Sequence, residues 1–132
     1  QREITLRFPQ CIPDFSIDNL KANLILLALF NLGQNAIEAT PKKGEVRFTC
    51  ERDRGDRLFI RVRDNGPGLP EDMLDAPFSP RVSRKPKGTG VGLAISLQLA
   101  ERADAELTLE SNGPEGACFL LVASSESIQD DD

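Results

Sequence analysis

Apolar and polar residues alternate from Glu3 to Phe8, putting Ile4, Leu6 and Phe8 on one side, and the alternation predicts a strand. Pro9 and Pro13 punctuate the loop that follows. The period then changes. Leu20, Leu24, Leu27, Asn31, Asn35 and Glu38 recur at intervals of three and four, which places them on one face of a helix. Ser16 or Asp18 can cap that helix, and it runs to about Ala39 before Pro41 and Gly44 stop it. Alternation returns over Glu45 to Glu51 (Val46, Phe48, Cys50) and over Leu58 to Asp64, and Asp53-Arg54-Gly55-Asp56 between them makes a hairpin. Pro70 to Pro86 is proline-rich and irregular, with one helical turn near Glu71 to Leu74. Gly90 to Arg102 carries an apolar stripe (Val91, Ile95, Leu99) and predicts a second long helix. Glu106 to Leu109 and Cys118 to Val122 predict strands around the turn Asn112 to Gly116. Elements of these types in this order predict an α+β fold. The expected form is a two-layer α/β sandwich, its mixed, mostly antiparallel sheet covered on one face by helices.

Composition narrows the chemistry. A length of 132 residues suits one domain, expected over residues 1–123, followed by an acidic tail from Ser124 to Asp132 expected to be disordered. The most apolar stretch, Leu24 to Leu32, is too short to span a membrane, and no signal peptide is evident. The only methionine is Met73, so the chain reads as a domain of a longer protein. Three cysteines, Cys11, Cys50 and Cys118, with no CxxC spacing argue against a disulfide framework or zinc site and for a reducing, cytoplasmic setting. The net charge of −5 argues against a nucleic-acid partner. The absence of histidine removes His-based catalysis from this chain.

Three clusters carry candidate chemistry. The helix face that begins with leucines ends in Asn31, Asn35 and Glu38. A buried amide costs roughly 1–3 kcal/mol unless hydrogen-bonded, so these amides either satisfy backbone groups or face a pocket, where the Asn35 carbonyl could meet a hard cation such as Mg²⁺. Asp64 continues the apolar face of its strand (Leu58, Ile60, Val62), where an unpaired carboxylate needs a donor. An adenine amine is one such donor. Gly66 and Gly68 in Asp64-Asn65-Gly66-Pro67-Gly68 would let a flat base approach the backbone, although the same residues also make a simple turn. Gly88-Thr89-Gly90-Val91-Gly92-Leu93 opens the second helix, and its backbone N–H groups make an anion site. No Gly-Lys-Ser/Thr follows, and Leu93 stands where a dinucleotide fingerprint needs glycine. Arg81, Arg84, Lys85 and Lys87 lie just upstream, with no acid between Asp75 and Glu101, a local charge suited to a polyphosphate.

In this order the motifs resemble those of the catalytic, ATP-binding domain of sensor histidine kinases, within the superfamily that includes gyrase B, the heat-shock chaperone ATPases and MutL. Asn31 to Ala36 resembles the N box, Asp64 to Gly68 the first glycine box, Pro77-Phe78 a remnant of the F box, and Gly88 to Leu93 the second glycine box. NAIEAT and GTGVGLAIS look closest to the nitrogen-regulation type. The resemblance implies a Bergerat-type fold with Asn35 ligating Mg²⁺ and Asn31 supporting the phosphate region. It implies that Asp64 reads the adenine amine, that Gly66 and Gly68 shape the base pocket, and that Asp75 to Lys87 form an ATP lid. Arg84, Lys85, Lys87, Gly88, Thr89, Gly90, Val91, Gly92 and Leu93 would serve the phosphates. Lys87 joins Asn31 and Asn35 as a catalytic candidate.

The hydrolysing branches carry a basic glutamate four residues before the magnesium asparagine. Asn31 stands there, so phosphoryl transfer to a histidine is expected rather than rapid hydrolysis. That histidine would lie on a dimerisation domain outside this chain, and a response-regulator aspartate would receive the phosphoryl group. The fragment is expected to be monomeric and the full protein a homodimer. A superfamily ATPase, or a degenerate module that binds nucleotide or partners without turnover, are the alternatives. The F box departs from the family, with Leu74-Asp75-Ala76 before Pro77-Phe78, and Cys118 replaces a usual threonine.

Overall fold

A computed structural model describes residues 3–79 and 89–125, with side chains in the second segment described from Gly92 onward. The elements are β1 (Glu3–Arg7), α1 (Asn19–Ala39), β2 (Lys43–Arg52), β3 (Arg57–Asp64), a 3-10 turn (Glu71–Met73), α2 (Thr89–Arg102), β4 (Glu106–Gly113) and β5 (Gly116–Ser124). One five-stranded sheet runs in the order β1-β2-β3-β5-β4. β1 and β2 are parallel because α1 crosses between them, and the other neighbours are antiparallel. Both helices lie on one face, as the sequence pattern predicts.

Register explains the two faces. Phe48, Val62, Phe119 and Leu109 are aligned across four strands, as are Cys50, Ile60, Leu121 and Leu107. These rows meet Ile25, Ala28 and Leu32 of α1 and Leu93 and Ala100 of α2 in the core. The opposite face is solvated and carries ion pairs, with Arg61 on Glu110 at 2.7 Å and Arg7 on Glu45 at 2.8 Å. The hairpin extends four residues beyond Leu109 on one side and starts two before Cys118 on the other, so the expected turn is present but narrows to Pro114-Glu115, its flanks being paired strand.

Asp18 is the α1 cap, its Oδ1 accepting from the N–H groups of Leu20 at 2.7 Å and Lys21 at 3.2 Å. The face that α1 buries is not the expected one. Leu20 and Leu27 are exposed, and the core receives Ile25, Ala28, Leu32 and Ala36. A helix that is apolar nearly all round gives periodicity no contrast, and the small residues Ala28, Gly33 and Ala36 win because they let the helix sit close to the sheet. For α2 the correction is partial: Ile95 of the expected stripe is exposed while Leu99 packs against the core, the side chain of Val91 lies outside the described residues, and Leu93, Ala94, Ser96 and Ala100 are buried.

Two further expectations change. Ser124 closes β5, and Ser125 is buried, donating its N–H to the Asp56 carbonyl at 3.0 Å, so the fold runs past the expected boundary at 123. Residues 126–132 of the expected tail lie outside the described residues. By length and composition α1 reaches what a membrane-crossing helix needs, with 21 residues and a mean hydropathy of 1.2. Here one of its faces packs on the sheet.

Candidate functional site

Three strand or helix ends converge. The C-terminal half of α1 carries Asn31 and Asn35, both half-buried. The Asn35 Nδ2 donates to the Asn31 carbonyl at 3.0 Å, one turn back. Its Oδ1 receives no donor among the described residues. The first turn of α2 comes directly against this amide: a Cβ on Gly92 would lie 2.6 Å from Asn35 Nδ2 and 2.9 Å from Oδ1. The first N–H groups of α2, from Thr89, lack intrahelical acceptors, so the Asn35 amide and an anion-seeking helix end lie side by side.

β3 delivers Asp64 from a different direction. It is only 5% exposed, and it pairs in register with Val46. Its Oδ1 accepts the N–H of Gly66 at 2.8 Å and of Ala117 at 3.4 Å, while no described residue donates to Oδ2. Burial pushes its carboxyl above the ordinary range. The two backbone donors, and Arg63 at longer range, pull it back in part. A half-satisfied buried carboxylate is suited to a ligand N–H.

The loop after Asp64 is fixed by its glycines. A Cβ on Gly66 would strike the Ala39 carbonyl at the end of α1, which draws the first glycine loop against the helix that bears Asn35. Gly68 takes φ +83° and presses on the Gly113 carbonyl of the β4–β5 hairpin. Gly116, at φ +128°, abuts the Asp64 carbonyl from the same hairpin.

Asn112 is a site residue that reading the sequence missed. Its Oδ1 accepts the Leu69 N–H at 2.7 Å and its Nδ2 donates to the Leu69 carbonyl at 3.4 Å, so one side chain pairs with both backbone groups of a single residue as a strand neighbour would. A bulge between Leu109 and Ser111 makes this possible. Leu109 is aligned with Phe119, but Ser111 with Cys118 and Asn112 with Ala117, so the one-residue shift turns Asn112 to the helix-covered face. Strict alternation would have put it outside.

Other predicted residues fall out differently. Leu93 is 2% exposed and its side chain is in the core, so it braces α2. Ser96 is fully buried and donates to the Gly92 carbonyl at 3.0 Å. Thr89, Gly90 and Val91 lie in the first turn of α2, with side chains outside the described residues. Arg81, Arg84, Lys85, Lys87 and Gly88 also lie outside them. Phe78 packs edge-on against Phe119 with ring centroids 5.7 Å apart, which anchors the chain just before that stretch.

The family described as "Histidine kinase-, DNA gyrase B-, and HSP90-like ATPase" matches residues 21–126. The chain belongs to this family. Sporulation kinase C of Bacillus subtilis is 36% identical over 100 residues, covering 76% of this chain and 23% of its own length. The sensor histidine kinase ZraS of Escherichia coli is 34% identical over 122 residues, covering 91% of this chain and 25% of its own length. This chain therefore spans about a quarter of those relatives. Among solved structures, the catalytic domain of the histidine kinase ThkA superposes with a TM-score of 0.71 at 28% identity, covering 92% of this chain and 79% of that one. Full-length ShkA in complex with AMPPNP gives a TM-score of 0.71 at 27% identity over 92% of this chain and 26% of that one. The molecule is a catalytic ATP-binding domain of the histidine-kinase type.

Proposed function

We propose that this domain binds Mg-ATP and presents the γ-phosphate to a histidine on a helical dimerisation domain of the full protein, from which an aspartate of a response-regulator receiver domain takes it. The observation that carries this reading is the contact of Gly92, in the first turn of α2, with the Asn35 amide, while the loop after Asp64 is held against the end of the same helix α1 at Ala39. Asp64 Oδ2 takes the adenine amine, and the Gly66–Gly68 loop, held by Asn112, lines the base. The N–H groups from Gly88 to Gly92 hold phosphate oxygens, with Arg84, Lys85 and Lys87 adding positive charge and Thr89 a hydroxyl. Leu93 serves by fixing that turn in the core.

The residues fit a magnesium ion at Asn35. Its Oδ1 is a hard oxygen, its Nδ2 is already spent on Asn31, and it sits beside the anion-seeking helix end. The ion, when bound, neutralises charge on the transferring phosphoryl group. Asn31 keeps Asn35 oriented through its carbonyl and supplies no base, which disfavours activation of water over transfer to an imidazole. The chain contains no histidine, so the acceptor is elsewhere in the protein.

Titration calorimetry with Mg-ATP tests the binding step, with Asp64→Asn as comparator. Micromolar binding that the variant loses by tenfold or more supports the reading. Transfer is tested by adding a separate histidine-bearing dimerisation domain and looking for acid-labile phosphate on it. Fast release of inorganic phosphate without such transfer would favour a hydrolysing ATPase instead.

A further inference from the structure

Two of the three thiols are brought side by side by the chain on either side of them. β1 and β2 run parallel, and their last aligned pair is Arg7 and Arg47. Beyond that pair the chain leaving β1 still follows β2. The Phe8 ring stacks on Phe48 with centroids 5.1 Å apart. Leu6 to Gln10 and Arg47 to Thr49 line one depression between the two segments. Further along, the Arg52 guanidinium donates to the Asp14 carbonyl at 2.9 Å. Cys11 lies between these contacts on one segment, and Cys50 lies between them on the other.

The loop has the slack to close the pair. The four strand steps from Phe48 to Arg52 advance about 13 Å, whereas the six from Phe8 to Asp14 can reach about 20 Å. The chain bends at Gln10, next to Cys11. Among the described residues, no backbone–backbone hydrogen bond holds residues 9–17. Cys11 is therefore free to settle with its Cα within the roughly 7 Å of Cys50 Cα that a disulfide requires. Both thiols are free, Cys11 exposed and Cys50 half-buried. Burial, and Glu51 at longer range, push the Cys50 thiol up, so the exposed Cys11 is the one that meets an oxidant first. Cys118 is out of reach: it is buried two strands away on β5, its Sγ 3.6 Å from Glu110 on the opposite face of the sheet.

We propose that Cys11 and Cys50 form a peroxide-sensitive thiol pair that closes to a disulfide and ties the β1–α1 loop to β2. The Cys11 sulfur attacks one oxygen of hydrogen peroxide, the O–O bond breaks, and the departing oxygen leaves as water with the thiol proton. Cys11 is then a sulfenic acid. The Cys50 sulfur attacks the Cys11 sulfur, the S–O bond breaks, and the hydroxyl leaves as a second water with the Cys50 proton. Two thiols have lost two hydrogens, and one peroxide has become two waters. The bond closes a ring of chain around α1, which restricts the unfolded state and so stabilises the domain. Neither cysteine belongs to the candidate site, so the inference stands apart from the phosphotransfer reading.

The test is exposure of the folded 132-residue chain to hydrogen peroxide, blocking of remaining thiols with N-ethylmaleimide, and peptide mapping by mass spectrometry. The expected product is a monomer lighter by two hydrogens that yields a Cys11–Cys50 peptide, at least tenfold more abundant than any link between copies. It should melt several degrees above the reduced chain, and dithiothreitol should reverse both changes. Cys50→Ala should abolish the link and leave Cys11 as sulfenic or sulfinic acid, while Cys118→Ala should still form it. Cys11 sulfinic acid, or a Cys11-to-Cys11 link between copies, as the main product of the parent chain overturns the proposal. So does a Cys11–Cys50 link that forms only after unfolding in urea, since the fold would then keep the two thiols apart.

Discussion

Gly92 packs on the carboxamide of Asn35 with no space between them for a methyl group. The contact joins two motifs 57 positions apart in the chain and sets where the α2 N-terminus points. Gly92→Ala would force the Asn35 amide to turn away. That amide is the tip of a flexible side chain, so the fold absorbs the change. Thermal unfolding should move by only a few degrees, as for a loss of about 1 kcal/mol. Affinity for Mg-ATP should fall at least tenfold, measured by calorimetry. Unchanged affinity would remove Asn35 from the ligand's surroundings.

Asn112 holds the first glycine loop from the hairpin. Asn112→Ala leaves the part-buried Leu69 N–H without this acceptor, a loss of about 1 kcal/mol, and should lower Tm by a few degrees. ATP affinity should fall with it, because the loop after Asp64 loosens. Asn112→Asp keeps the 2.7 Å acceptor and gives up only the 3.4 Å bond, so it should recover most of both. Equal damage from the two variants would mean that the loop does not depend on the bond to Leu69 N–H.

The architecture was legible where a local rule fixes it. Alternation located β2 and β3 because each has one dry and one wet face, and it located β1 although Leu6 stays exposed there, while glycine and asparagine clusters located the three motifs. The buried faces of α1 and α2 were not legible. Ile25 and Leu27 are equally apolar, and only the approach of the helix to the sheet separates them. Asn112 was hidden for a related reason: one bulge residue reverses which side chains point inward, and the alternation beyond Leu109 carries no mark of it.

Asp64 gives the site a pH signature. Its folded carboxyl titrates above the ordinary range, so between the ordinary value and the raised one the native state binds more protons than the unfolded chain. This group therefore costs stability at neutral pH, and that cost is relieved as pH falls through the raised value. Binding goes the opposite way, since an adenine amine needs the ionised acceptor. Affinity for ATP should begin to fall at a pH above that of an ordinary aspartate. The ratio of parent to Asp64→Asn affinity, titrated by calorimetry, isolates this group from the ionisation of ATP itself. A ratio that stays flat down to the ordinary carboxyl range would mean that Asp64 does not meet the base as an anion.

The packing of α1 can be checked with two neighbours of opposite fate. Ala28 is fully buried against the sheet, and Leu27 beside it is 53% exposed. Ala28→Leu drives three extra carbons into a filled interface and should destabilise by about 1–3 kcal/mol in urea unfolding. Leu27→Ala removes the same volume from a surface and should stay within about 0.5 kcal/mol of the parent. The helix face read from leucine spacing alone predicts the reverse order, with Leu27→Ala the damaging change. The sign of the difference between the two midpoints therefore decides which face of α1 meets the sheet. Because Asn31 and Asn35 are carried by the same helix, it also decides whether their amides are turned toward α2.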